Sequence, residues 1–284
     1  HRLHEIPPNG QGIAALMALG MLRHFDLDSL PVDGPECQHL QIEAMKLAFA
    51  DAYRHVGDRA HMHVSTDELL DEDYLARRAR LIDPHRAQVF GAGLAPKGGT
   101  IYLTAADERG MMVSFIQSNY MGFGSGVVIP GWGISLQNRG HGFSLDPRSP
   151  NVVAPGKRPF HTIIPAFLTK DGAPQMSFGV MGGNMQPQGH LQTLVRMLVF
   201  GQHPQAACDA PRWRFNQGLE INVESTLPSA TVRGLVERGH RVDVIDDSYQ
   251  DFGAGQFIWR LGDPAVEGYV AASDPRRDGL AAAW

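Results

Sequence analysis

Along the first 95 residues the hydrophobic positions recur every three or four places. Ile13, Leu16, Met17 and Met21 fall on one helical face, and Ile42, Met45, Phe49 and Ala52 repeat the spacing. A more charged pattern from Asp67-Glu68-Leu69-Leu70 to Ile82 predicts a third helix. Residues 84–99, with Pro84, Pro96 and four glycines, read as an exposed linker. From Thr100 the period falls to two. Thr100–Asp107 and Met111–Ser118 flank Glu108-Arg109-Gly110, the pattern of a hairpin. Further strands are expected at Gly133–Gln137, Thr162–Thr169 and Gln175–Val180, then a helix over Gln186–Phe200. Beyond it, short helices near Gln205 and over Ser229–Glu237 alternate with strands near Leu219, Val242, Phe257 and Gly268. Helices first and mixed elements afterwards predict an α+β fold rather than a doubly wound sheet. The boundary divides a mostly helical region, 1–99, from a mixed region, 100–284.

Composition narrows the function classes. The 284 residues carry a net charge of −5, with both signs dispersed, so no basic nucleic-acid face or polybasic membrane patch is indicated. No apolar run, that around Leu194–Phe200 included, is long enough to span a bilayer. Cys37 and Cys208 are isolated, which points away from a disulfide framework or a thiolate zinc site and fits a reducing cytoplasm. The chain opens at His1 and reads as part of a longer polypeptide. A targeting signal would lie in the preceding part, so a periplasmic location also fits.

Three features could carry chemistry. The junction Pro96-Lys97-Gly98-Gly99-Thr100 puts a threonine at the head of a strand behind two glycines. Taken alone, a strand-opening threonine is most simply β-propensity. If the Gly99–Thr100 bond were cut, Thr100 would carry a hydroxyl and a free α-amine, a nucleophile with its base attached. Gly182-Gly183, between a strand and a helix, is either a tight turn or a pair of N–H donors for an oxyanion. Phe123-Gly124-Ser125-Gly126 matches neither a nucleophile elbow nor a dinucleotide loop, and reads as a substrate-lining loop or a plain hairpin loop. His141, His161, His190 and His61-Met62-His63 lack an accompanying carboxylate motif, so neither a metal nor an organic cofactor is expected.

These pieces, in order, resemble the γ-glutamyltransferase (γ-glutamyltranspeptidase) family of N-terminal nucleophile hydrolases. The resemblance is carried by Pro7-Pro8 with its glycine-rich turn, Thr100, Phe123–Gly126, Pro155-Gly156-Lys157-Arg158-Pro159, Gly182-Gly183, Asp209-Ala210-Pro211-Arg212 and Ala272–Gly279. It covers the end of the large subunit and the whole small subunit. It implies a four-layer αββα sandwich, self-cleavage between Gly99 and Thr100, Thr100 as nucleophile, and oxyanion amides from Gly182 and Gly183. It also places Thr104 and Ser118 near the nucleophile as orienting hydroxyls. The implied partners are a small-molecule amide and the preceding half of the polypeptide, with a homodimer of processed heterodimers as the expected assembly. By itself the 284-residue piece would then be an inactive fragment.

Departures from the family pattern bear on the substrate. Where γ-glutamyl transferases show an Asn-Asn-(Gln/Glu)-Met-Asp-Asp-Phe-like run, this chain has Gln137-Asn138-Arg139-Gly140-His141-Gly142-Phe143. Gly142 removes the carboxylate that would pair with a donor ammonium, and Arg139 adds positive charge. An expected Ser-Ser pair is His161-Thr162, and an expected asparagine is Tyr120. Such a pocket disfavours an ammonium and admits an anionic or uncharged acyl group. The run Met181-Gly182-Gly183-Asn184-Met185-Gln186-Pro187-Gln188-Gly189-His190 resembles the acylase and amidohydrolase branch, hence a threonine amidohydrolase working through an acyl-enzyme. The alternatives are a true γ-glutamyl transferase of glutathione metabolism and a non-catalytic αββα binding module.

Overall fold

The computed structural model describes residues 1–90 and 99–283. Residues 91–98, half of the expected linker, lie outside the described part. The strands are β1 (Arg2–His4), β2 (Gly99–Ala106), β3 (Met112–Tyr120), β4 (Val128–Ile129), β5 (Ile134–Ser135), β6 (Ala166–Lys170), β7 (Ala173–Met181), β8 (Trp213–Gln217), β9 (Glu220–Glu224), β10 (Arg241–Ile245), β11 (Ala254–Arg260) and β12 (Tyr269–Ser273). The helices are α1 (Gly12–Leu22), α2 (Pro35–His55), α3 (Thr66–Leu69), α4 (Glu72–Ala79), α5 (Met185–Leu194), α6 (Pro204–Asp209), α7 (Ser229–Glu237) and α8 (Ser248–Asp251). The α+β class is as expected. No helix among the described residues is long and apolar enough to cross a membrane.

The central sheet runs β1-β6-β7-β11-β12, antiparallel throughout. Strand β7 shows how the layers form. Successive side chains point to opposite faces, and Met176, Phe178 and Val180 belong to the apolar core on the helical side. There α5 comes so close that a side chain on Gly189 would strike Val180 at 2.5 Å. Ser177 and Gly179 face the other way, toward the β2–β3 hairpin. The Thr104 and Ser177 hydroxyls hydrogen-bond, and a Cβ on Gly179 would lie 2.5 Å from the Tyr102 ring. The order is therefore helices, five-stranded sheet, hairpin.

The hairpin's own alternation is inverted relative to a simple core. Thr100, Tyr102 and Thr104 face the sheet, whereas Ile101 (63% exposed), Leu103, Val113 and Phe115 (46%) face outward. Hydroxyl contacts seat the inner face: Tyr102 Oη and Ser114 Oγ are 2.7 Å apart, and Ser114 donates to the Phe178 carbonyl at 3.3 Å.

Helix α2 is buried around most of its circumference, so its polar residues need internal partners. Lys46 pairs with Glu43 at 2.6 Å and Asp51 with Arg78 at 2.9 Å. The core around α1 and α2 includes Leu191, Trp213, Phe215 and Leu235, so residues from both sides of position 99 share one interior.

Several elements differ from the sequence pattern. The first 95 residues contain β1, which forms because the strand can pair with the edge of β6, a long-range partner that local periodicity does not reveal. Pairing over 133–137 is confined to β5, and the expected strand 162–169 begins only at Ala166. The helix from 186 ends as α at Leu194 and continues as a π-turn, Val195–Val199. Strand β8 was not expected either. Its register depends on two glutamines of α5: Gln188 and Gln192 each exchange both amide hydrogen bonds with the Phe215 and Trp213 backbone, at 2.7–3.2 Å. Spaced i, i+4 on one helical face, these side chains substitute for a neighbouring strand.

Candidate active site

Thr100 is 6% exposed and sits at a break in the hairpin register. Gly99 pairs with Tyr120 and Ile101 with Gln117, so β3 carries one extra residue opposite Thr100. Such a bulge re-aims side chains. Thr100 Oγ donates to Ser118 Oγ at 3.2 Å, and the Tyr120 N–H donates to the same oxygen at 2.9 Å. Ser118 is thus the hydroxyl beside the expected nucleophile. Thr104, four residues along the strand, is about 13 Å away at ordinary strand rise and bonds Ser177 instead. It seats the hairpin on the sheet rather than touching Thr100.

Gly182 and Gly183 follow the end of β7 with φ of +124° and +62°, values that favour glycine. Their carbonyls accept from Met185 and Gln186 at the start of α5. Among the described residues no acceptor takes the N–H of either glycine. Two N–H donors at a helix start are the kind of group an oxyanion site needs. Met181, immediately before them, lines a cavity of about 460 Å³ together with Thr100.

Residues that the sequence did not single out hold this turn in place. Gln11 of the Pro7–Gly12 motif is fully buried and donates to the carbonyls of Gly183 (2.9 Å) and Thr162 (2.6 Å). Gly253 backs onto it, since a Cβ there would lie 2.1 Å from the Met181 carbonyl oxygen. The Val180 N–H donates to His190 Nε2 at 3.1 Å, which leaves Nδ1–H to donate to Glu5 at 2.7 Å. Burial raises the Glu5 carboxyl above its ordinary value, against the opposing pull of His190. The glycines of Phe252-Gly253-Ala254-Gly255 and the glutamine of the first motif were the available signals.

The expected acyl-recognition residues gather beside Ser118. Tyr120, Gly142, Thr162 and Asn184 line a second cavity of about 290 Å³. Arg139 is 5% exposed, donates to Thr162 Oγ at 3.0 Å, and stacks 5.3 Å from the Tyr120 ring centroid. Tyr120 has φ +78°, a left-handed conformation that a bulky residue keeps only when its surroundings hold it. A Cβ on Gly142 would come within 3.0 Å of the Phe160 carbonyl, so local packing leaves little room for a carboxylate-bearing side chain there. His161 does not line this cavity. Its backbone pairs with Asn9 and Gln11, and burial with Arg139 nearby lowers its imidazole pKa to about 4.

Two sequence motifs 60 residues apart meet in a buried ionic network. Arg212 and Arg276 clamp Asp274 at 2.7 and 3.0 Å, and Arg276 also pairs with Glu224. Burial would raise the Asp274 pKa, but the two guanidinium groups hold it below the ordinary value. Asp274 accepts from the Gly255 N–H at 2.8 Å, which fixes the start of β11 beside Gly253.

His39, Glu43 and His240 are near enough to suggest a metal, with ligand atoms within 4.8 Å of one another. Their hydrogen bonds form a directed chain instead. His39 Nε2 donates to the Asp83 carbonyl, leaving Nδ1 to accept from His240 Nε2 at 2.8 Å, while Lys46 neutralises Glu43. This cluster is satisfied without an ion.

Thr100 thus heads a strand beside the Ser118 hydroxyl, and the Gly182-Gly183 turn leads into α5. The gamma-glutamyltranspeptidase family model matches residues 1–284. The chain belongs to this family. It is 35% identical to a glutathione hydrolase-like YwrD proenzyme of Bacillus subtilis, over 99% of this chain and 54% of the relative. It is 36% identical to an oxamate amidohydrolase proenzyme of Klebsiella pneumoniae, over 99% of this chain and 53% of the relative. A cephalosporin acylase structure from Bacillus halodurans aligns with a TM-score of 0.91 at 50% identity, covering 100% of this chain and 51% of that one. The chain therefore spans about half the length of these gamma-glutamyltranspeptidase-family relatives. Its fold is that of the N-terminal nucleophile hydrolases.

Proposed function

We propose that this chain is the catalytic half of an autoprocessing threonine amidohydrolase, cleaved between Gly99 and Thr100 into a large-subunit end, 1–99, and a small subunit, 100–284. The observation that supports this reading is Thr100, held by Ser118, in a cavity that Met181, the residue before the Gly182-Gly183 turn, also lines. In processing, Thr100 Oγ attacks the Gly99 carbonyl carbon. The C–N bond breaks, the hydroxyl proton ends on the Thr100 nitrogen, and water hydrolyses the ester to a Gly99 carboxylate and a restored hydroxyl. In turnover the freed amine takes the Oγ proton as Oγ attacks the substrate amide, then delivers it to the departing amine. The glycine amides stabilise the oxyanion in both steps, and water releases the acid from the acyl-enzyme.

The preceding half of the polypeptide is the proposed partner. The outward aliphatic face of the hairpin, with Ile101, Leu103, Val113 and Phe115, supports this, because such a face calls for a covering layer. Full-length protein and its Thr100→Ala variant should be compared by intact mass and by amine release from simple amides. Wild type should part at Gly99/Thr100 and turn over, while the variant stays as one silent chain. A wild type that remains uncut after long incubation, or a Thr100→Ala variant of full activity, refutes the reading.

A further inference from the structure

We propose that Arg139 is a specificity residue that recruits acyl donors ending in a carboxylate, and that the donor is a short dicarboxylic monoamide. This rests on the reading of Thr100 as the nucleophile. Arg139 is buried, and among the described residues its guanidinium contacts only neutral groups: the Thr162 hydroxyl, the Ser118 carbonyl at 3.5 Å and the Tyr120 ring. Among the described residues no carboxylate pairs with it, and the sequence of 91–98 contains no acidic residue. A buried guanidinium without a counter-ion is costly, and its five donors are far from exhausted by these acceptors. The other buried cations near the catalytic turn, Arg212, Arg214 and Arg276, each have an aspartate or glutamate partner. Arg139 is the exception, and two of the groups it contacts, Thr162 and Tyr120, line the cavity of about 290 Å³.

The surroundings leave the anion's place open. The Gly142 Cβ position is crowded by the Phe160 carbonyl, and neighbouring His161 is held neutral by burial and by Arg139 itself. Distances also limit the donor's length. Thr100 Oγ is 3.2 Å from Ser118 Oγ, and the Ser118 carbonyl oxygen is 3.5 Å from Arg139 Nη2. The two oxygens of one serine lie within about 4 Å of each other, so the guanidinium is at most about 11 Å from the nucleophile. Attack at ~3 Å and a charged hydrogen bond of ~3 Å leave at most about 5 Å between acyl carbon and carboxylate. That span suits diacids of about two to five carbons at ordinary bond lengths.

Processed full-length protein should be assayed with oxamate, succinamate and glutaramate, each against its uncharged diamide. The monoamides should be favoured by roughly 10- to 100-fold in kcat/KM, the range of a charge-assisted contact, with the difference carried in KM. Arg139→Gln, the uncharged residue of the family pattern, should equalise the two substrate sets, and Arg139→Lys should retain part of the preference. Equal use of diamides by wild type, or an undiminished preference in Arg139→Gln, overturns the proposal. Calorimetry of oxalate, succinate and glutarate binding to Thr100→Ala separates recognition from chemistry. Binding that Arg139→Gln abolishes, in a protein that cleaves no amide, supports the assignment of Arg139 while refuting the nucleophile. Absence of binding, or binding that survives Arg139→Gln, counts against Arg139 whatever the activity.

Discussion

Gly253→Ala should disable the site without touching any reacting group. Gly253 has φ +66°, and an added Cβ would lie 2.1 Å from the Met181 carbonyl oxygen and 3.2 Å from Val180 Cγ1. The left-handed backbone costs an alanine about 1 kcal/mol, and the overlap with rigid backbone adds about 1–3 kcal/mol of overpacking. A total of about 2–4 kcal/mol is expected, measured as a fall in the urea midpoint at unchanged slope. Relief requires the end of β7 to retreat by about 1 Å, and Gly182 and Gly183 move with it. Misplacement of that size costs about 100-fold in rate, read as slower parting at Gly99/Thr100 and a lower kcat for amine release. Gly239→Ala is the control: its φ is +94° but nothing lies within 4 Å of the added Cβ. It should cost about 1 kcal/mol and leave the rate alone. A Gly253→Ala protein within threefold of wild-type kcat and about 0.5 kcal/mol of its stability would refute the account of the glycine turn.

Asp274→Asn should destabilise the full-length protein by about 3 kcal/mol at neutral pH, because Arg212 and Arg276 would lose a buried partner. The folded Asp274 pKa is lowered, so its contribution is present above the ordinary value of 3.8 and is lost as pH falls through the folded value. Stability curves of wild type and variant should therefore converge below about pH 4, and a constant gap would contradict the ionic origin. Phe115→Ser should lower the thermal midpoint of the full-length protein if the outer hairpin face is covered, as proposed. An unchanged midpoint would mean that this face meets solvent.

Legibility from sequence varied with the range of the determining contacts. Helices α1 and α2 and the hairpin were readable because their apolar periods are local. Strands β1 and β8 were not, since one is defined by a distant edge and the other by two glutamine side chains. At the site, Thr100, Ser118 and the glycine pair were legible through motif order, whereas Gln11 and Gly253 emerged only when their contacts with the turn were seen. Tyr120, Arg139, Gly142 and Thr162 were named from departures in the pattern, and folding brings them to one small cavity and its wall.

The Gly99–Thr100 junction shows the division most plainly. Sequence alone determined a helical half, a glycine-rich approach and an alternating strand opening on threonine, because backbone preferences act over a few residues. It could not say which face of that strand turns inward. Alternation has a period of two whichever side is buried, and here the aliphatic side faces out while the hydroxyl side faces the sheet. Only the tertiary structure decided that, through the small residues Ser177 and Gly179, which let Tyr102 and Thr104 approach β7. The same packing brings Thr100 to Ser118 and leaves Arg139 without a carboxylate partner among the described residues, since burial and pairing are set by the neighbours that folding supplies.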